Sequence, residues 1–572
     1  MKLVSKSILA FAALGLFAAC SSLGKMEKNI EDVSYQVNPN PLEVHGAKVN
    51  LSINGVFPEK YFDKKATLTL TPVLVYNGGE VAFDEVSLQG EKVTENNKSI
   101  IYKTGGKFTY NATIDYKPEY EYSTLVLNIV GVKGNKERVF ERIEIGAGVI
   151  ATPYLVESDE NFINMPHGFT RITKHQQKAE INFLVNSSSV RSSEKRDADI
   201  KELKSFVDTV KANDAITITG VVIESHASPE GELRLNENLA VSRGKNAKSV
   251  VSSIFKRKVD DSSDEFYNML AKGEDWLGFK ALMEASEIED KALILRILTM
   301  YDDLKKREEE IRNLAKTYTE VEDQILPKLR RSQITVNYEI VGRTDEEISA
   351  LASSNPVDLS LVELLYAATL SDDLATKESI LKSATEIYPT EAAAFNNYAV
   401  ALVKNGKADE AKKAIESSLS IEDNAYAHNN LGAILRTVDG NLVGAKDEYS
   451  KATSLGQEVS HNIAIVNILD GEYETANNNL GSEVNFNKAL AATLKGDSEL
   501  ALSVLKSVNE GGESANAYYL EAVVYAKLKD ENNAVASLTK AIALDASLKA
   551  KAAQDRSFFY MQSTSGFQAI VK

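Results

Sequence analysis

A repeat of about 33 residues between residues 359 and 547 is the feature that most restricts what this chain can fold into. Within each period, large and small side chains recur at the spacing at which two packed helices touch. The first clear unit carries Phe395, Tyr398, Ala399, Leu402, Gly406, Ala411 and Ile415, and the next carries Leu431, Gly432, Leu435, Ala445, Tyr449 and Ala452. This pattern predicts stacked helix pairs, because one pair cannot bury its apolar face alone.

These units resemble tetratricopeptide repeats, with about six units over residues 359–547 and a C-terminal cap over 548–572. The remaining units are marked by Ala384 and Pro389, by Gly471, Ala476 and Leu480, by Gly496, Ala501 and Leu505, and by Tyr518, Ala522, Tyr525, Ala534, Leu538 and Ala541. The resemblance implies a solenoid whose concave groove is built from the first helix of each pair. Such a groove receives a peptide or a partner protein.

The N-terminus has the pattern of a secreted, lipid-anchored protein. Lys2 and Lys6 precede an apolar run that is too short to span a membrane, and the run ends in Phe17-Ala18-Ala19-Cys20. This sequence resembles a bacterial lipobox, which implies a signal peptide over 1–19, lipidation of Cys20 and a linker over 20–32. The alternative is an ordinary signal peptide with an incidental cysteine. Because Ser21 follows in place of an inner-membrane retention aspartate, the resemblance implies the periplasmic face of the outer membrane.

Composition limits the classes of partner. The net charge of −17 disfavours nonspecific attraction to nucleic acid, and a single cysteine leaves no intrachain disulfide and no cysteine-based metal cluster. The six histidines are scattered, and motifs for phosphate binding or for a nucleophilic serine are absent from the sequence. We therefore expect no cofactor, no metal site and no enzyme activity.

Residues 33–156 are predicted to form an immunoglobulin-like β-sandwich. Apolar and polar residues alternate in 66–71 and 123–128, and turn signals such as Asn77-Gly78-Gly79 and Lys133-Gly134-Asn135 separate the strands. The aromatic residues Tyr110, Tyr116, Tyr120 and Tyr122 either pack across strands or form a ligand surface, and packing is favoured.

A second module is predicted over residues 178–342, followed by a linker over 343–358. Strand, helix, strand and helix are expected over 179–185, 197–213, 215–224 and 236–255, and the alternating run 334–339 adds a final strand of a mixed α+β sheet. Residues 256–328 are interpreted as an insertion. Within it, Trp276 is expected in a core, and the charged run 305–312 on a solvated helix face.

A motif in this module resembles the peptidoglycan-binding domain of the OmpA family. His226, Gly231, Asn236, Leu239 and Arg243 match the family pattern in register, whereas Ser228 stands where the family has aspartate. The resemblance implies a peptidoglycan site containing His226, Ser228, Asn236 and Arg243, in which arginine grips a stem carboxylate. Glu224 or Glu230 is an alternative source of the missing carboxylate, and capping of the helix is an alternative role for Asn236.

Together these features predict an outer-membrane lipoprotein scaffold, tethered to peptidoglycan by the OmpA-like domain and recruiting a protein partner through its repeats. The alternative is an accessory protein of a surface assembly or secretion machine. In that reading the OmpA-like domain is structural and does not bind peptidoglycan.

Overall fold

The computed structural model describes residues 22–256 and 265–572, which form two compact units. The first unit comprises the chain up to Pro166 and again from Tyr388 to Lys572, and the second comprises His167–Ile387. Cys20 and Ser21 lie outside the described residues.

The N-terminal part of the first unit is built from two β-sheets that share one core. One sheet has the order β1-β3-β2-β12 with β8 paired to β3, and the other has the order β10-β9-β4-β6-β7 with β11 paired to β9 and β5 to β4. The elements are α1 (Ser22–Lys28), β1 (Ser34–Asn38), β2 (Leu42–His45), β3 (Lys48–Phe57), β4 (Thr67–Tyr76), β5 (Gly79–Ala82), β6 (Val86–Gly90), β7 (Lys98–Ile100), β8 (Gly106–Asp115), β9 (Ser123–Lys133), β10 (Lys136–Val139), β11 (Ile143–Ala147) and β12 (Val149–Ile150). The predicted β-rich N-terminal region is confirmed.

Two details differ from, or refine, the expectation for this region. The supposed linker 20–32 contains α1, whose Leu23 and Met26 are buried in the sandwich core because they cover one end of its apolar interior. Among the tyrosines, Tyr110 and Tyr120 are buried in that core, and Tyr116 packs against Tyr154 with ring centroids 4.7 Å apart. These contacts favour packing as the role of Tyr110, Tyr116 and Tyr120, whereas Tyr122 is exposed.

The second unit contains a four-stranded mixed sheet of order β13-β16-β14-β15. β14 and β15 are parallel and are connected through α3, whereas β16 pairs antiparallel with both β13 and β14. The elements are β13 (Ile172–Asn182), α2 (Ala198–Ala212), β14 (Ile216–Ala227), α3 (Leu233–Phe255), β15 (Tyr267–Glu274), α4 (Trp276–Glu284), α5 (Lys291–Met300), α6 (Leu304–Arg312), α7 (Ala315–Gln324), α8 (Leu326–Leu329), β16 (Arg331–Val341), α9 (Asp345–Ser354), α10 (Leu361–Ala367) and α11 (Leu374–Ile387).

Two boundaries of the second unit differ from the sequence interpretation. β15 lies inside the predicted insertion but is an edge strand of the sheet, and its short mixture of apolar and polar residues does not stand out in a search for apolar runs. The helical insertion therefore begins at α4, where Trp276 packs on Phe279 at 5.6 Å between ring centroids. The supposed linker 343–358 contains α9, because Thr344 and Glu347 form a capping box that starts a helix.

The C-terminal part of the first unit is a series of helix hairpins followed by a short cap. The helices are α12 (Ala392–Lys404), α13 (Ala408–Ile421), α14 (Ala425–Thr437), α15 (Leu442–Ser454), α16 (Ser460–Asp470), α17 (Tyr473–Asn479), α18 (Phe486–Lys495), α19 (Ser498–Gly511), α20 (Ala515–Lys527), α21 (Glu531–Leu544), α22 (Leu548–Gln554) and α23 (Ser565–Val571). Small residues such as Ala399, Ala411 and Ala445 are fully buried where helices meet. The predicted repetitive helical region is confirmed.

Candidate functional site

Asparagines recur at equivalent positions in the first helix of successive hairpins. Asn397 lies in α12, Asn430 in α14, Asn462 in α16 and Asn487 in α18, and each is at most 5% exposed. A buried amide side chain is costly unless its donors and its acceptor are all used. The recurrence of these residues therefore indicates a polar ligand along this surface.

That ligand is a segment of the same chain. Residues 156–166, here called the strap, run in an extended conformation along the asparagines. Asn430 accepts a hydrogen bond from the Ile163 amide at 2.8 Å and donates to the Ile163 carbonyl at 2.9 Å. The same two-bond pairing joins Asn397 to Met165, Asn462 to Asn161 and Asn487 to Glu157. Because these bonds are to backbone atoms, they select an extended chain without selecting its side chains.

Further hydrogen bonds connect the asparagines to one another. Asn462 donates to Asn429 at 2.9 Å, Asn429 to Asn430 at 3.1 Å, Asn430 to Asn396 at 3.0 Å and Asn396 to Asn397 at 3.0 Å. These bonds hold the Asn397, Asn430 and Asn462 amides in the orientation that presents both a donor and an acceptor to the strap, whereas Asn396 and Asn429 each add a donor to it. The groove is a preorganised surface for a peptide backbone.

Two strap carboxylates are recognised by cationic groups of the groove. Glu160 forms an ion pair with Arg436, and their side chains are only 2% and 8% exposed. Burial raises the pKa of Glu160, while the Arg436 charge acts in the opposite direction. His461 contacts Asp159 at 3.1 Å and Glu483 at 2.8 Å, and the hydrogen bond to Asp159 contributes most to raising the pKa of His461 to about 9.

One aromatic strap residue enters the apolar part of the repeats. Phe162 packs into the cluster formed by α12, α13 and α14, which also contains Tyr398 and Leu431. The groove thus contacts a backbone along most of its length together with the side chains of Val156, Glu157, Asp159, Glu160 and Phe162. The sequence predicted a groove for a peptide but did not identify the strap as an occupant. The periodic asparagines 396–397, 429–430 and 462 were the available signal.

His226, Ser228, Asn236 and Arg243, the residues predicted to form a peptidoglycan site, lie close together in the second unit, but the polar groups of Ser228, Asn236 and Arg243 are used within the module. Arg243 is 1% exposed and donates to the backbone carbonyls of Ser187 at 3.0 Å, His226 at 2.8 Å and Leu184 at 3.2 Å. Its guanidinium also lies 5.3 Å from the ring centroid of Phe183. Burial lowers the pKa of Arg243, so these carbonyl bonds offset a real cost of burying its charge.

Ser228 and its neighbours form a second internal network. Ser228 donates to the Glu230 carboxylate at 2.6 Å, and Arg330 pairs with the same carboxylate at 2.8 Å. Glu230 thus lies beside Ser228, as the sequence interpretation allowed, but an arginine of this chain already neutralises it. The other candidate, Glu224, instead lies 3.5 Å from Lys272 near the surface.

Asn236 does not cap α3, in contrast to one sequence interpretation. Helix α3 starts at Leu233 with Glu232 as its N-cap, and Asn236 lies within the first turns. Its side chain donates to the Glu230 carbonyl and to Glu274, both at 2.9 Å. The conformation of the 228–232 loop explains this difference, because the loop brings the Glu230 carbonyl within hydrogen-bond distance of the Asn236 side-chain amide.

The insertion covers the motif loop. Glu308 of α6 accepts a hydrogen bond from the Gly231 amide at 2.7 Å and is only 9% exposed, so it is not on the solvated face predicted for the charged run. A cleft of about 620 Å³ remains beside Gly231, lined by Glu232, Glu274, Lys305 and Arg312 among others. It therefore presents charges of both signs.

His226 is the remaining predicted site residue. Its ring lies 3.9 Å from Asp275, and neither ring nitrogen has a hydrogen-bond partner among the residues that the structure describes. Burial is the main cause that lowers the pKa of His226. Burial therefore favours the neutral form of the imidazole. Across the described residues, no cluster of potential ligands suits a metal ion.

Comparisons with known proteins agree with the repeat assignment. The tetratricopeptide repeat family matches residues 392–424 and 515–548, which cover the hairpins α12–α13 and α20–α21. The sequence has no match among curated proteins.

Three solved structures illustrate the structural similarity. A tetratricopeptide repeat protein from Parabacteroides merdae is 16% identical, with 35% of this chain and 85% of that chain covered and a TM-score of 0.28. PilF from Pseudomonas aeruginosa is 16% identical, with 39% and 99% covered and a TM-score of 0.29. A chain of the APC/C hetero-tetramer Cut9–Hcn1 is 14% identical, with 61% of this chain and 78% of that chain covered and a TM-score of 0.31. These scores carry no argument, whereas the family match supports tetratricopeptide repeats at residues 392–424 and 515–548.

Proposed function

We propose that this protein is a noncatalytic scaffold of the bacterial envelope whose tetratricopeptide repeats bind a partner protein. The observation that carries the proposal is the groove itself, in which preorganised asparagine amides bind an extended peptide backbone. Tetratricopeptide repeats generally present such surfaces to proteins. Residues 156–166 occupy the groove in this structure, so a partner contacts either the outer surface of the hairpins or the groove after displacement of the strap.

Crosslinking in intact cells tests this function. A tagged full-length chain is purified after brief treatment with a lysine-reactive crosslinker, and the crosslinked residues are mapped by mass spectrometry. We expect reproducible crosslinks from a partner to lysines of the repeat helices, such as Lys446 and Lys495, which are partly exposed. Crosslinks restricted to the second unit would contradict a scaffold that acts through its repeats.

We further propose that Cys20 is lipidated and that the chain is anchored at the periplasmic face of the outer membrane. The lipobox-like sequence before Cys20 supports this, and more than one acyl chain gives stable anchoring. Among the helices that the structure describes, none is long and apolar enough to cross a membrane. Replacement of Cys20 by alanine should move the protein from the outer-membrane fraction to the soluble periplasmic fraction, and unchanged fractionation would refute the anchor.

For the second unit, the contacts favour a structural role of the OmpA-like motif over peptidoglycan binding. The Arg243 guanidinium, which the family resemblance assigns to a stem carboxylate, is bound by three backbone carbonyls. Peptidoglycan tethering is the second candidate function. The cleft beside Gly231 favours it, because Glu274 and Arg312 line it with opposite charges, and a zwitterionic stem peptide would compete there with the ion pair between Arg312 and Glu308 at 2.6 Å.

A pulldown with purified peptidoglycan distinguishes these two roles. Arg312→Glu reverses a charge in the cleft, and Arg296→Glu makes the same change at an exposed position of α5 that lies outside it. Tethering predicts saturable retention of the wild type and of Arg296→Glu, with at least tenfold weaker retention of Arg312→Glu. Equal background retention of all three proteins supports the structural role.

A further inference from the structure

The contacts between the strap and the groove separate into two kinds. The asparagine amides bind the backbone of Glu157, Asn161, Ile163 and Met165 and would bind any extended chain equally well. The remaining contacts depend on side chains. They include a carboxylate at position 160 and another at position 159, which meet cationic groups, an aromatic ring at position 162, and a carboxylate at position 157, which accepts a hydrogen bond from Asn516.

The cationic groups of the groove are placed for an acidic peptide. Arg436 is almost fully buried, and a buried guanidinium is costly without an anion beside it. His461 is held between the carboxylates of Asp159 and Glu483, which keeps it protonated at neutral pH. The occupant of the groove therefore has to supply negative charge at these two points.

The strap is an intramolecular occupant that is covalently attached at both of its ends. A tethered ligand has an effective concentration on the order of millimolar, so a free peptide of equal intrinsic affinity is excluded at micromolar concentration. A partner with the same chemistry gains access when the strap is weakened or when its own affinity is higher.

We propose that the groove is a receptor for an extended acidic segment of a partner protein, with two adjacent carboxylates followed by an aromatic residue two positions later. The strap is a resident pseudo-ligand that competes with this segment. The inference rests on the proposed function that the repeats bind a protein, and it specifies which part of the partner is bound and where.

A peptide titration tests the proposal on the full-length chain. The probe is a fluorescent synthetic peptide with the sequence of residues 156–166, and binding is followed by fluorescence anisotropy. One variant weakens the strap by combining Glu160→Ala with Phe162→Ala. A second variant, Ile163→Pro, removes the backbone N–H that donates a hydrogen bond to Asn430. We expect both variants to bind the probe at least tenfold more tightly than the wild type.

Specificity is tested with matched changes in the peptide and the groove. A peptide with amides in place of the carboxylates at positions 159 and 160 should bind the weakened chain at least tenfold less tightly. Addition of Arg436→Glu should abolish binding of the acidic probe, and a peptide with lysine at position 160 should restore it. Absence of saturable binding to both folded strap variants, or binding that Arg436→Glu leaves unchanged, would overturn the proposal. Circular dichroism and thermal melting establish that the variants are folded.

The crosslinking experiment separates this inference from the function on which it rests. If Arg436→Glu in the strap-weakened chain leaves a repeat-bound partner in place, the scaffold stands and the groove proposal fails. If no partner crosslinks to the repeats but the peptide titration behaves as expected, the groove chemistry stands and the scaffold function fails.

Discussion

The carboxylate of Glu160 pairs with the guanidinium of Arg436 inside the groove of the repeats, although 276 positions separate the two residues in the sequence (436 − 160). Their side chains are 2% and 8% exposed. A buried pair of this kind contributes little net stability as a pair, but each charge depends on the other. The pair therefore fixes which part of the strap faces which hairpin.

Removal of one partner should release the strap. Arg436→Ala leaves the Glu160 carboxylate buried without a cation, and we expect a cost of about 3–5 kcal/mol. Replacement of both residues by leucine should recover most of that loss. Hydrogen exchange at the Ile163 amide measures the effect, because this amide is protected only while the strap is bound to Asn430. Lys446→Ala, which removes an exposed ion pair with Asp470, is the control and should change exchange by less than about 1 kcal/mol.

The role of the asparagine amides in holding the strap can be tested by replacing the NH2 group of one amide with an oxygen. Asn430→Asp keeps an acceptor for the Ile163 amide but loses the donor to the Ile163 carbonyl, so we expect a loss of about 1–3 kcal/mol in strap binding. Asn478→Asp makes the same substitution at an exposed position of α17 and should leave exchange at Ile163 unchanged. Equal protection in the two variants would show that the amide pairing does not hold the strap.

Strap binding should weaken in alkaline solution. The pKa of His461 is raised from its ordinary value of 6.5 to about 9 by its carboxylate partners. A raised pKa contributes stability that is complete below the unfolded value of 6.5 and is lost as the pH rises through about 9. The hydrogen-exchange protection of the Asn161 amide, corrected for the change of the intrinsic exchange rate with pH, should therefore fall between pH 7 and pH 9.5. His461→Gln should remove this dependence. If the variant and the wild type lose protection in parallel, another group is responsible.

Arg243 should behave as a structural residue of the second unit. Arg243→Lys retains a charge but cannot reach the three carbonyls that the planar guanidinium binds, so we expect a loss of about 2 kcal/mol or more. Arg234→Lys, on the exposed start of the same helix, is the control and should have little effect. Chemical denaturation followed through the fluorescence of Trp276, which lies in the same unit, measures the difference. An unchanged midpoint for Arg243→Lys would contradict the structural role.

Close helix packing in the repeats gives a further prediction. A Cβ atom at Gly432 would lie 2.7 Å from the Tyr449 ring, so Gly432→Ala should destabilise the α14–α15 hairpin by about 1–3 kcal/mol. The same change at Gly511 in α19 meets no atom within 4 Å and should be neutral or slightly stabilising. Proteolysis at limiting protease concentration, mapped within residues 425–454, compares the two variants. Equal cleavage would argue against a tight contact between Gly432 and Tyr449.

Local patterns in the sequence determined the helix hairpins, the β-rich N-terminal region and the alternating strands, because each depends on residues that are close in the chain. The period of about 33 residues places Gly432 opposite Tyr449, and alternation places Leu68 and Leu70 in the sandwich core. The edge strand β15 was not identified from the sequence, because its own mixed composition does not indicate a strand. Its place in the sheet depends on pairing with β14.

Only the tertiary structure decided how the functional groups are used. The motif around Arg243 resembles a ligand-binding motif, but two of the three carbonyls that bind Arg243 come from the loop at Leu184 and Ser187, which no local pattern connects to α3. In the same way, the asparagines of the repeats are visible as a recurring residue, but their partner lies in the segment 156–166. Hydrogen bonds and ion pairs between such distant segments depend on where the folded chain brings polar groups together. Sequence periodicity carries no information about which distant segments come into contact.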